Sequence, residues 1–365
     1  MPPPVVTPVA TPSSPLPTPP QIFRSATATV SYDFTAGDTL ASKGDWSFAN
    51  TQWTLSTVPG TATKGMEFSC PASLPGTYCS PEQRFAMPAS SSVWIKFRLH
   101  VPAQYAHRFD TFVGIPAAAM QNWQIGDQVR ATDGQTQGVI SAVVLTPSGD
   151  VSETGVFLRN PHNAWSNDLW VGTLRNMTRN AAAVSTSRAM WAGNRKLLAL
   201  WTDGYSAHGL GSSVVWEFWN ASAPDNQTAT GSDLAVHYSS GNYTGAGPHL
   251  GATSFITAAD RGKYIDVMVH VQLSSTAGAK NGVLQTWLRR QGQGQFTQIH
   301  NITDADMDPR PKGNRAESNF VGSPADLQPF QRGYLMGWQN AGYDQAVGFH
   351  ISRVDYYQQR PVELN

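Results

Sequence analysis

The sequence predicts an all-β fold, and two observations support this prediction. Glycine and proline are frequent, with 32 and 25 residues in the chain. This composition disfavours long helices and favours strands separated by many turns. Two stretches, SSVWIKFRLH at 91–100 and YIDVMVHVQ at 264–272, alternate between apolar and polar residues. A period of two turns one face of a strand toward a core and the other face outward.

The most informative stretch is 262–290, which reads as two strands joined by a loop rich in glycine and serine. Its outward positions carry polar and aromatic residues, namely His270, Gln272, Trp287 and Arg289. Such a face either binds sugar or packs against protein. His270, Gln272 and Arg289 are candidates for binding an acidic sugar. We favour the alternative, a polar face covered by an insert of the chain or by a neighbouring subunit.

Charge and cysteine content exclude several functions. Acidic and basic residues balance at 25 each, so the chain lacks the basic field that nucleic-acid binding requires. No apolar run is long enough to span a membrane, and the N-terminus lacks the pattern of a signal peptide. Cys70 and Cys79 are too few for a disulfide scaffold or a zinc site, and we interpret them as structural, bonded or free. We predict no cofactor.

The composition divides the chain into four segments. Residues 1–27 include an uncharged proline-rich run that cannot form a core, and we predict an extended arm anchored on a neighbouring subunit. A passive linker is the alternative. Residues 28–120 and 191–365 are predicted to form two parts of one sandwich. Residues 121–190 contain short β-segments and turn signals, which predict an inserted small β-module with a connector.

Four stretches resemble a known fold family: SYDF, VVWEFWN, the pair YIDVMVHVQLSS and NGVLQTWL, and GFHISRVDYY. They resemble the concanavalin A-like jelly rolls, in particular the polysaccharide lyases and related endoglucanases. The resemblance covers residues 30–120 and 190–360 and implies a jelly-roll β-sandwich. It admits calcium, as in many members of this fold, although we assign no ligand set.

The insert carries a second resemblance. VRATDGQTQGVISAVVLTPSGDVSETGVFLRN, followed by DLWVG, is similar to small β-modules of tailed-phage virion proteins. Together with the arm, it implies a virion accessory protein, such as a capsid decoration, head-fibre or tail-appendage subunit on the particle surface. Its expected partners are other virion proteins bound through the arm, further copies of the chain in a homo-oligomer, and a host polysaccharide bound by a lectin-like body.

The alternative function is a polysaccharide lyase acting on an acidic polymer. Such an enzyme needs a group that neutralises the uronate carboxylate, a base and an acid. Alginate-lyase-like jelly rolls use a Gln-Ile-His triplet, and this chain has Gln298-Ile299-His300. We expect Gln298 and His300 on one strand face, and either Tyr343 or Tyr334 as the catalytic tyrosine. The other lyase motifs are missing, which favours the virion role.

A glycosidase is disfavoured by the carboxylates. A retaining enzyme needs two of them about 5 Å apart, and the pattern Glu-x-Asp-x-x-Glu is absent. Glu217 stands alone in this stretch and is interpreted as a structural residue. Trp219 and Trp287 are candidates for stacking on sugar rings, with packing inside the sandwich as the alternative.

Overall fold

The computed structural model describes residues 28–49, 54–73, 79–106, 110–131, 137–147, 153–159, 172–186, 189–191, 195–201, 214–219, 232–238, 250–276, 279–305, 307, 329–339 and 343–364. The predicted arm, residues 1–27, lies outside these ranges. The described residues form β-strands with short 3-10 helices, which confirms the all-β class. None of the helices in these ranges has the length and apolar character needed to cross a membrane.

The strands follow one another in short pieces, as the turn-rich sequence predicts. They are β1 (Val30–Asp33), β2 (Ser47–Phe48), β3 (Leu55–Thr57), β4 (Lys64–Cys70), β5 (Gln83–Ser90), β6 (Ser92–His100), β7 (Asp110–Gly114), β8 (Gln128–Ala131), β9 (Gln137–Val144), β10 (Gly155–Arg159), β11 (Thr173–Asn176), β12 (Val184–Ser185), β13 (Ala189–Trp191), β14 (Arg195–Trp201), β15 (Val214–Trp219), β16 (Ser232–Tyr238), β17 (Leu250–Ile256), β18 (Tyr264–Gln272), β19 (Gly282–Arg290), β20 (Thr297–Ala305), β21 (Phe330–Leu335) and β22 (Val347–Tyr357). The 3-10 helices are Phe34–Ala36, Ala117–Asn122, Ala258–Asp260 and Val362–Leu364.

Two antiparallel sheets form a jelly-roll sandwich. Sheet 1 has the order β20-β19-β18-β6-β22-β4-β3, with β1 paired to β22. Sheet 2 has the order β17-β16-β15-β14-β21-β5-β2. Strands from before and after the predicted insert pair with each other in both sheets, because β6 lies between β18 and β22, and β5 lies beside β21. The two halves of the chain therefore build one sandwich.

The core lies between sheets 1 and 2 and follows the alternation of the sequence. On β18 the predicted inward residues are all buried: Ile265, Val267, Val269 and Val271. Sheet 2 contributes Leu198, Trp216 and Leu234 to the same core. Trp216 Nε1 donates a hydrogen bond of 2.8 Å to Thr286 Oγ1 of sheet 1. The two sheets are thus joined by apolar packing and by buried polar contacts such as this one.

A third sheet, sheet 3, has its own core. Its order is β12-β11-β8-β9-β10-β7-β13, and its buried residues include Met120, Trp123, Ile140 and Leu174. Its first strand along the chain is β7, which precedes residue 121, the predicted start of the insert. The separate core agrees with an inserted β-module, while the division into domains stays a prediction.

Buried charges tie the ends of the described chain to sheet 1. Arg353 of β22 lies between Asp33 of β1, at 3.3 Å, and Asp355, at 2.8 Å. Lys96 of β6 contacts Asp355 at 3.0 Å and Glu363 of the last 3-10 helix at 2.7 Å. Burial raises the pKa of Asp355, but Lys96 and Arg353 outweigh this effect and hold the pKa below its usual value. Each of these buried charges therefore has an opposite partner, as burial requires.

Cys70 and Cys79 form a disulfide, which decides between the bonded and free states that the sequence left open. Their Cα atoms are 6.0 Å apart, within the usual range for a disulfide. Cys70 ends β4, and the backbone of Cys79 pairs with Gln339. The bond therefore ties the end of β4 to Cys79, which pairs with the segment that follows β21.

Replacing both cysteines with alanine should destabilise the fold. The residues are 9 apart in sequence, and closing a loop of that length is worth about 2.6 kcal/mol in the chain-entropy model. Guanidinium unfolding, followed by tryptophan fluorescence, should therefore show a lower free energy of unfolding for the double variant. The wild type under reducing conditions serves as the control and should match the variant. An unchanged unfolding midpoint in both samples would contradict this role.

Candidate functional site

The outer face of sheet 1 carries the residues that the sequence proposed for glycan binding. The β18–β19 ladder sets His270 opposite Gln285, and Asp266 opposite Arg289. Trp287 lies opposite Met268 on the same face, and Gln272 is exposed near the end of β18. The structure thus brings these four candidates to one face.

His270 and Trp287 are packed inside a cluster on this face. The ring of His270 stacks on Trp94 with the centroids 3.8 Å apart, and its two nitrogens contact Ser92 and Gln285 at 3.1 Å each. Burial lowers the pKa of His270 to about 4, against the opposing effect of the Gln285 hydrogen bond. Trp287 is 6% exposed and packs in the same cluster as Met268. Neither ring offers a free surface to a sugar.

Arg289 is paired with carboxylates, and the last turn of the chain packs on this face. The Nη2 atom of Arg289 lies 2.7 Å from Asp266 and 3.7 Å from Glu363. Leu364 and Phe296 pack against the aromatic cluster. The last turn fits this position because Glu363 complements the buried cations and Leu364 is apolar. Cover of the face by the insert or by a neighbouring subunit stays a prediction.

The predicted lyase triplet is not assembled. The β19–β20 ladder shifts register between Thr286 and Trp287, so His300 lies opposite Thr286 whereas Gln298 lies opposite Trp287. Thr286 faces the core and Trp287 faces outward. Gln298 and His300 therefore lie on opposite faces, contrary to the expectation from their spacing. His300 is buried, and its Nε2 atom contacts the Leu234 carbonyl at 3.1 Å.

Tyr343 is remote from this triplet. It precedes β22, which lies four strand spacings from β20, or about 19 Å. Its ring is buried, with its centroid 6.5 Å from that of Tyr105, and its hydroxyl donates to Gln339. It is a core residue. The side chain of Trp219 lies outside the described residues, so that candidate stays a prediction.

The outer face of sheet 2 presents a different constellation, centred on Tyr334 of β21. Tyr334 pairs with Arg84 of β5 on one side and with Ala199 of β14 on the other. Arg332, two residues earlier on the same face, pairs with Trp201. The register therefore places one tyrosine next to two arginines in the middle of a sheet.

The packing around Tyr334 fixes its outward position. Tyr334 clusters with Trp201, Ala199 and Val215, apart from the main core, and its ring centroid is 5.5 Å from that of Trp201. A Cβ atom on Gly337 would lie 2.1 Å from the tyrosine ring, so only glycine fits there. Tyr334 itself is 3% exposed.

The arginine side of this face is open to solvent. The side chain of Arg84 is 50% exposed, and its Nε atom contacts Glu82 at 2.6 Å. Arg332 is also exposed. These two residues were missed by sequence reasoning. The i, i+2 spacing of Arg332 and Tyr334 in FQRGYL could have found Arg332, whereas no local signal points to Arg84.

Glu217, which the sequence analysis interprets as a structural residue, has a carboxylate neighbour on this face. In the β15–β16 ladder Glu217 lies opposite Ala235, and Asp233 lies opposite Trp219. Glu217 and Asp233 are therefore diagonal neighbours on the same face, with a spacing of about 7–8 Å. Both are buried, at 6% and 4% exposure.

Comparisons with known proteins give no family for this chain. No protein-family model matches it, and no curated protein matches it in sequence. Similar solved structures include three lyases: the alginate lyase Aly36B, the marine PL-14 alginate lyase from Aplysia kurodai, and the endo-beta-1,4-glucuronan lyase from the fungus Trichoderma reesei.

These likenesses are distant. For Aly36B the identity is 9% and the TM-score 0.40, over 91% of this chain and 97% of that one. For the Aplysia enzyme the values are 8% and 0.39, over 92% and 100%. For the Trichoderma enzyme they are 10% and 0.33, over 91% and 96%. At such values the comparisons carry no argument about the activity or the residues of this chain.

The depressed histidine pKa values predict that acid destabilises the fold. Burial lowers the pKa of both His100 and His270 from 6.5 to about 4, so both are neutral in the folded protein at pH 7. Their contribution to stability is complete above pH 6.5 and is lost as the pH falls toward about 4, because the unfolded chain then binds more protons.

His270→Gln should therefore flatten this dependence. The slope of unfolding free energy against pH between 6.5 and 4 should fall by up to about 1.4 kcal/mol per pH unit. Urea unfolding at a series of pH values measures the slope. Above pH 7.5, where neither state of His270 is charged, the slopes of wild type and variant should coincide. Parallel curves over the whole range would contradict the assignment.

Proposed function

We propose that this chain cleaves an acidic polysaccharide by β-elimination on the outer face of sheet 2. The observation that carries the proposal is the position of Tyr334 directly opposite Arg84 and two residues from Arg332 on the same face. A uronate lyase needs a positive group beside the substrate carboxylate and a group that moves a proton. This face supplies both kinds of side chain at neighbouring positions.

The reaction assigns a separate task to each side chain. A guanidinium group that binds the uronate carboxylate stabilises the negative charge that develops when C5 loses its proton. Tyr334, as the phenolate, takes that proton, and the phenol then returns a proton to O4 as the C4–O4 bond breaks. A C4–C5 double bond forms, and neither water nor an oxidant is consumed.

The spacing of the face fits this division of tasks. Directly opposed residues on neighbouring strands have Cβ atoms about 5 Å apart, and residues i and i+2 lie about 6.8 Å apart. One sugar ring beside Tyr334 is therefore within reach of either guanidinium group. Trp201 packs next to Tyr334 in the same buried cluster as Ala199, so the exposed guanidinium groups are the parts of this face that a substrate meets first.

The opposite face is a poorer candidate. Its arginines pair with buried carboxylates, and its aromatic rings pack on one another beneath the last 3-10 helix. A substrate there would have to break these contacts before binding. This contrast favours sheet 2 over the glycan-binding candidates His270, Gln272, Trp287 and Arg289.

The virion role that the sequence favoured remains a proposal, and it concerns where this activity would take place. It rests on the arm, which lies outside the described residues, and on the likeness of the insert. A surface subunit of a phage particle that degrades host polysaccharide would combine both proposals. Deleting residues 2–21 tests the setting through incorporation into particles, independently of catalysis.

A hydrolase is the second candidate, and the carboxylate pair Glu217 and Asp233 favours it. A diagonal spacing of about 7–8 Å between the strand positions lies in the range of inverting glycosidases, whose carboxyl groups are about 6.5–9.5 Å apart. Hydrolysis and elimination both create reducing ends. Only elimination creates the unsaturated sugar that absorbs near 235 nm, so one absorbance trace separates the two reactions.

Tyr334→Phe should abolish elimination while preserving the fold. The change removes the hydroxyl group alone, and loss of an acid–base group costs about 10²–10⁴-fold in rate. Absorbance near 235 nm, recorded with a panel of uronate polysaccharides, measures the rate. Arg332→Gln should lose about 10²-fold through the carboxylate contact.

Tyr343→Phe is the matched control for this experiment. It removes the hydroxyl of a buried core tyrosine, so the rate should stay near that of the wild type at temperatures where the variant is folded. Wild-type rates in Tyr334→Phe would refute the site. A flat trace with the wild type, together with new reducing ends lost in Glu217→Gln, would replace the lyase with the hydrolase.

A further inference from the structure

A second cleft lies at one end of sheet 1, across the sandwich from the proposed catalytic face. It has a volume of about 740 Å³, within the range of small-molecule pockets. Its walls come from the β3–β4 turn at Pro59, from β4, from the loop after β6, and from the start of β22. Two histidines, His100 and His350, line it.

The polar part of this cleft is a row of three residues on three neighbouring strands. We call Glu67, His350 and His100 the histidine row. Glu67 of β4 lies directly opposite His350 of β22, which lies directly opposite His100 of β6. The two histidine rings have their centroids 6.2 Å apart. His350 Nε2 shares a hydrogen bond of 3.0 Å with Ser56 Oγ and lies 3.9 Å from Glu67 Oε2.

Three imidazole nitrogens in the histidine row lack a hydrogen bond in the protein. They are both nitrogens of His100 and Nδ1 of His350, and each residue is only 2% exposed. The Gly262 backbone lies near His100 and the Gly348 backbone near His350, and each favours the protonated ring, but neither reaches hydrogen-bond geometry with these three nitrogens. Leaving a buried polar group unpaired is costly, and such a group indicates a bound partner.

The charge state of the histidine row indicates the chemistry of that partner. Burial lowers the pKa of both histidines, so each neutral ring has one donor and one acceptor nitrogen at pH 7. The hydrogen bond from Ser69 holds the pKa of Glu67 below its usual value, so Glu67 is a carboxylate that repels anions. Hydroxyl groups, which both donate and accept, fit this set.

A metal ion fits the cleft less well. Within the described ranges, no three side chains of His, Cys, Asp or Glu are grouped as a metal site requires. The remaining walls are mostly apolar, with Pro71, Pro102, Ala103 and Val347 among them, although Ser69 and Gln104 also line the cleft. Apolar walls around a few polar groups are typical of sites that take small organic molecules. The C–H faces of a sugar ring match such walls.

We propose that this cleft binds a neutral saccharide, whose hydroxyl groups complete the hydrogen bonds of His100 and His350. The site is distinct from the face around Tyr334 and does not depend on the proposed lyase activity. It would hold a polymer, or the surface that displays it, without cleaving it. Glu67 excludes the uronates that the catalytic face would take.

Calorimetric titration and saturation-transfer NMR with neutral mono- and oligosaccharides at pH 7.5 test the proposal. At least one neutral sugar should bind, and His100→Gln should weaken it by tenfold or more. Ala103→Trp fills the cleft from its exposed wall without touching the histidine row, and it should abolish binding even if His100→Gln proves unstable. His270→Gln, a buried histidine outside the cleft, is the matched control and should bind like the wild type.

Several outcomes would overturn the proposal. One is the absence of binding to any neutral sugar in the panel. Another is binding that neither His100→Gln nor Ala103→Trp weakens. If Zn²⁺ binds to the wild type and this binding is lost in His100→Gln, the cleft is a metal site and not a sugar site. Weak binding of glycerol alone would reduce the cleft to an adventitious additive site. None of these outcomes affects the lyase assay, which measures the elimination rate at the face of sheet 2.

Discussion

The register of β21 between β14 and β5 is the constraint on which the candidate site depends. A shift of one residue would turn Tyr334 and Arg332 into the core and Gly333 outward. The inward side of β21 resists such a shift, because a Cβ atom at Gly333 would lie 2.3 Å from the ring of Phe85. Only glycine fits beneath that ring, so its position holds the tyrosine on the outer face.

The two outer faces of the sandwich differ in whether their arginine side chains are buried or exposed. On sheet 1 the arginines and Lys96 are buried with carboxylates, and the last turn of the chain contributes Glu363 to them. On sheet 2 the arginines beside Tyr334 remain exposed. A buried and compensated face contributes to holding the fold together, whereas exposed arginine side chains are accessible to an anionic polymer. This difference, more than any sequence motif, locates the proposed activity.

The sequence predicted local features well and contacts between distant segments poorly. The alternation in β6 and β18 identified the inward and outward residues, because strand period is a local property. It could not show that Glu363 and Leu364 cover the outward residues, since that depends on the path of the chain. Arg84 and Arg332 come from widely separated strands, and only their shared neighbour in sheet 2 brings them together.

Irregularities of pairing explain the remaining differences. The spacing of Gln298 and His300 indicates that they share one face. The register shift against β19 instead puts them on opposite faces, and nothing in the triplet itself predicts that shift. The spacing of Cys70 and Cys79 permitted a disulfide without requiring one. Glu217 gained Asp233 as a neighbour through a ladder that the sequence does not reveal.

The most direct test of the proposed catalytic site is a crystal structure of the Tyr334→Phe variant with a uronate oligosaccharide. We expect a sugar on the outer face of sheet 2, with a carboxylate within hydrogen-bond distance of Arg84 or Arg332 and with C5 facing the ring at position 334. An oligosaccharide bound instead across β18 and β19 of sheet 1, with sheet 2 empty, would contradict it.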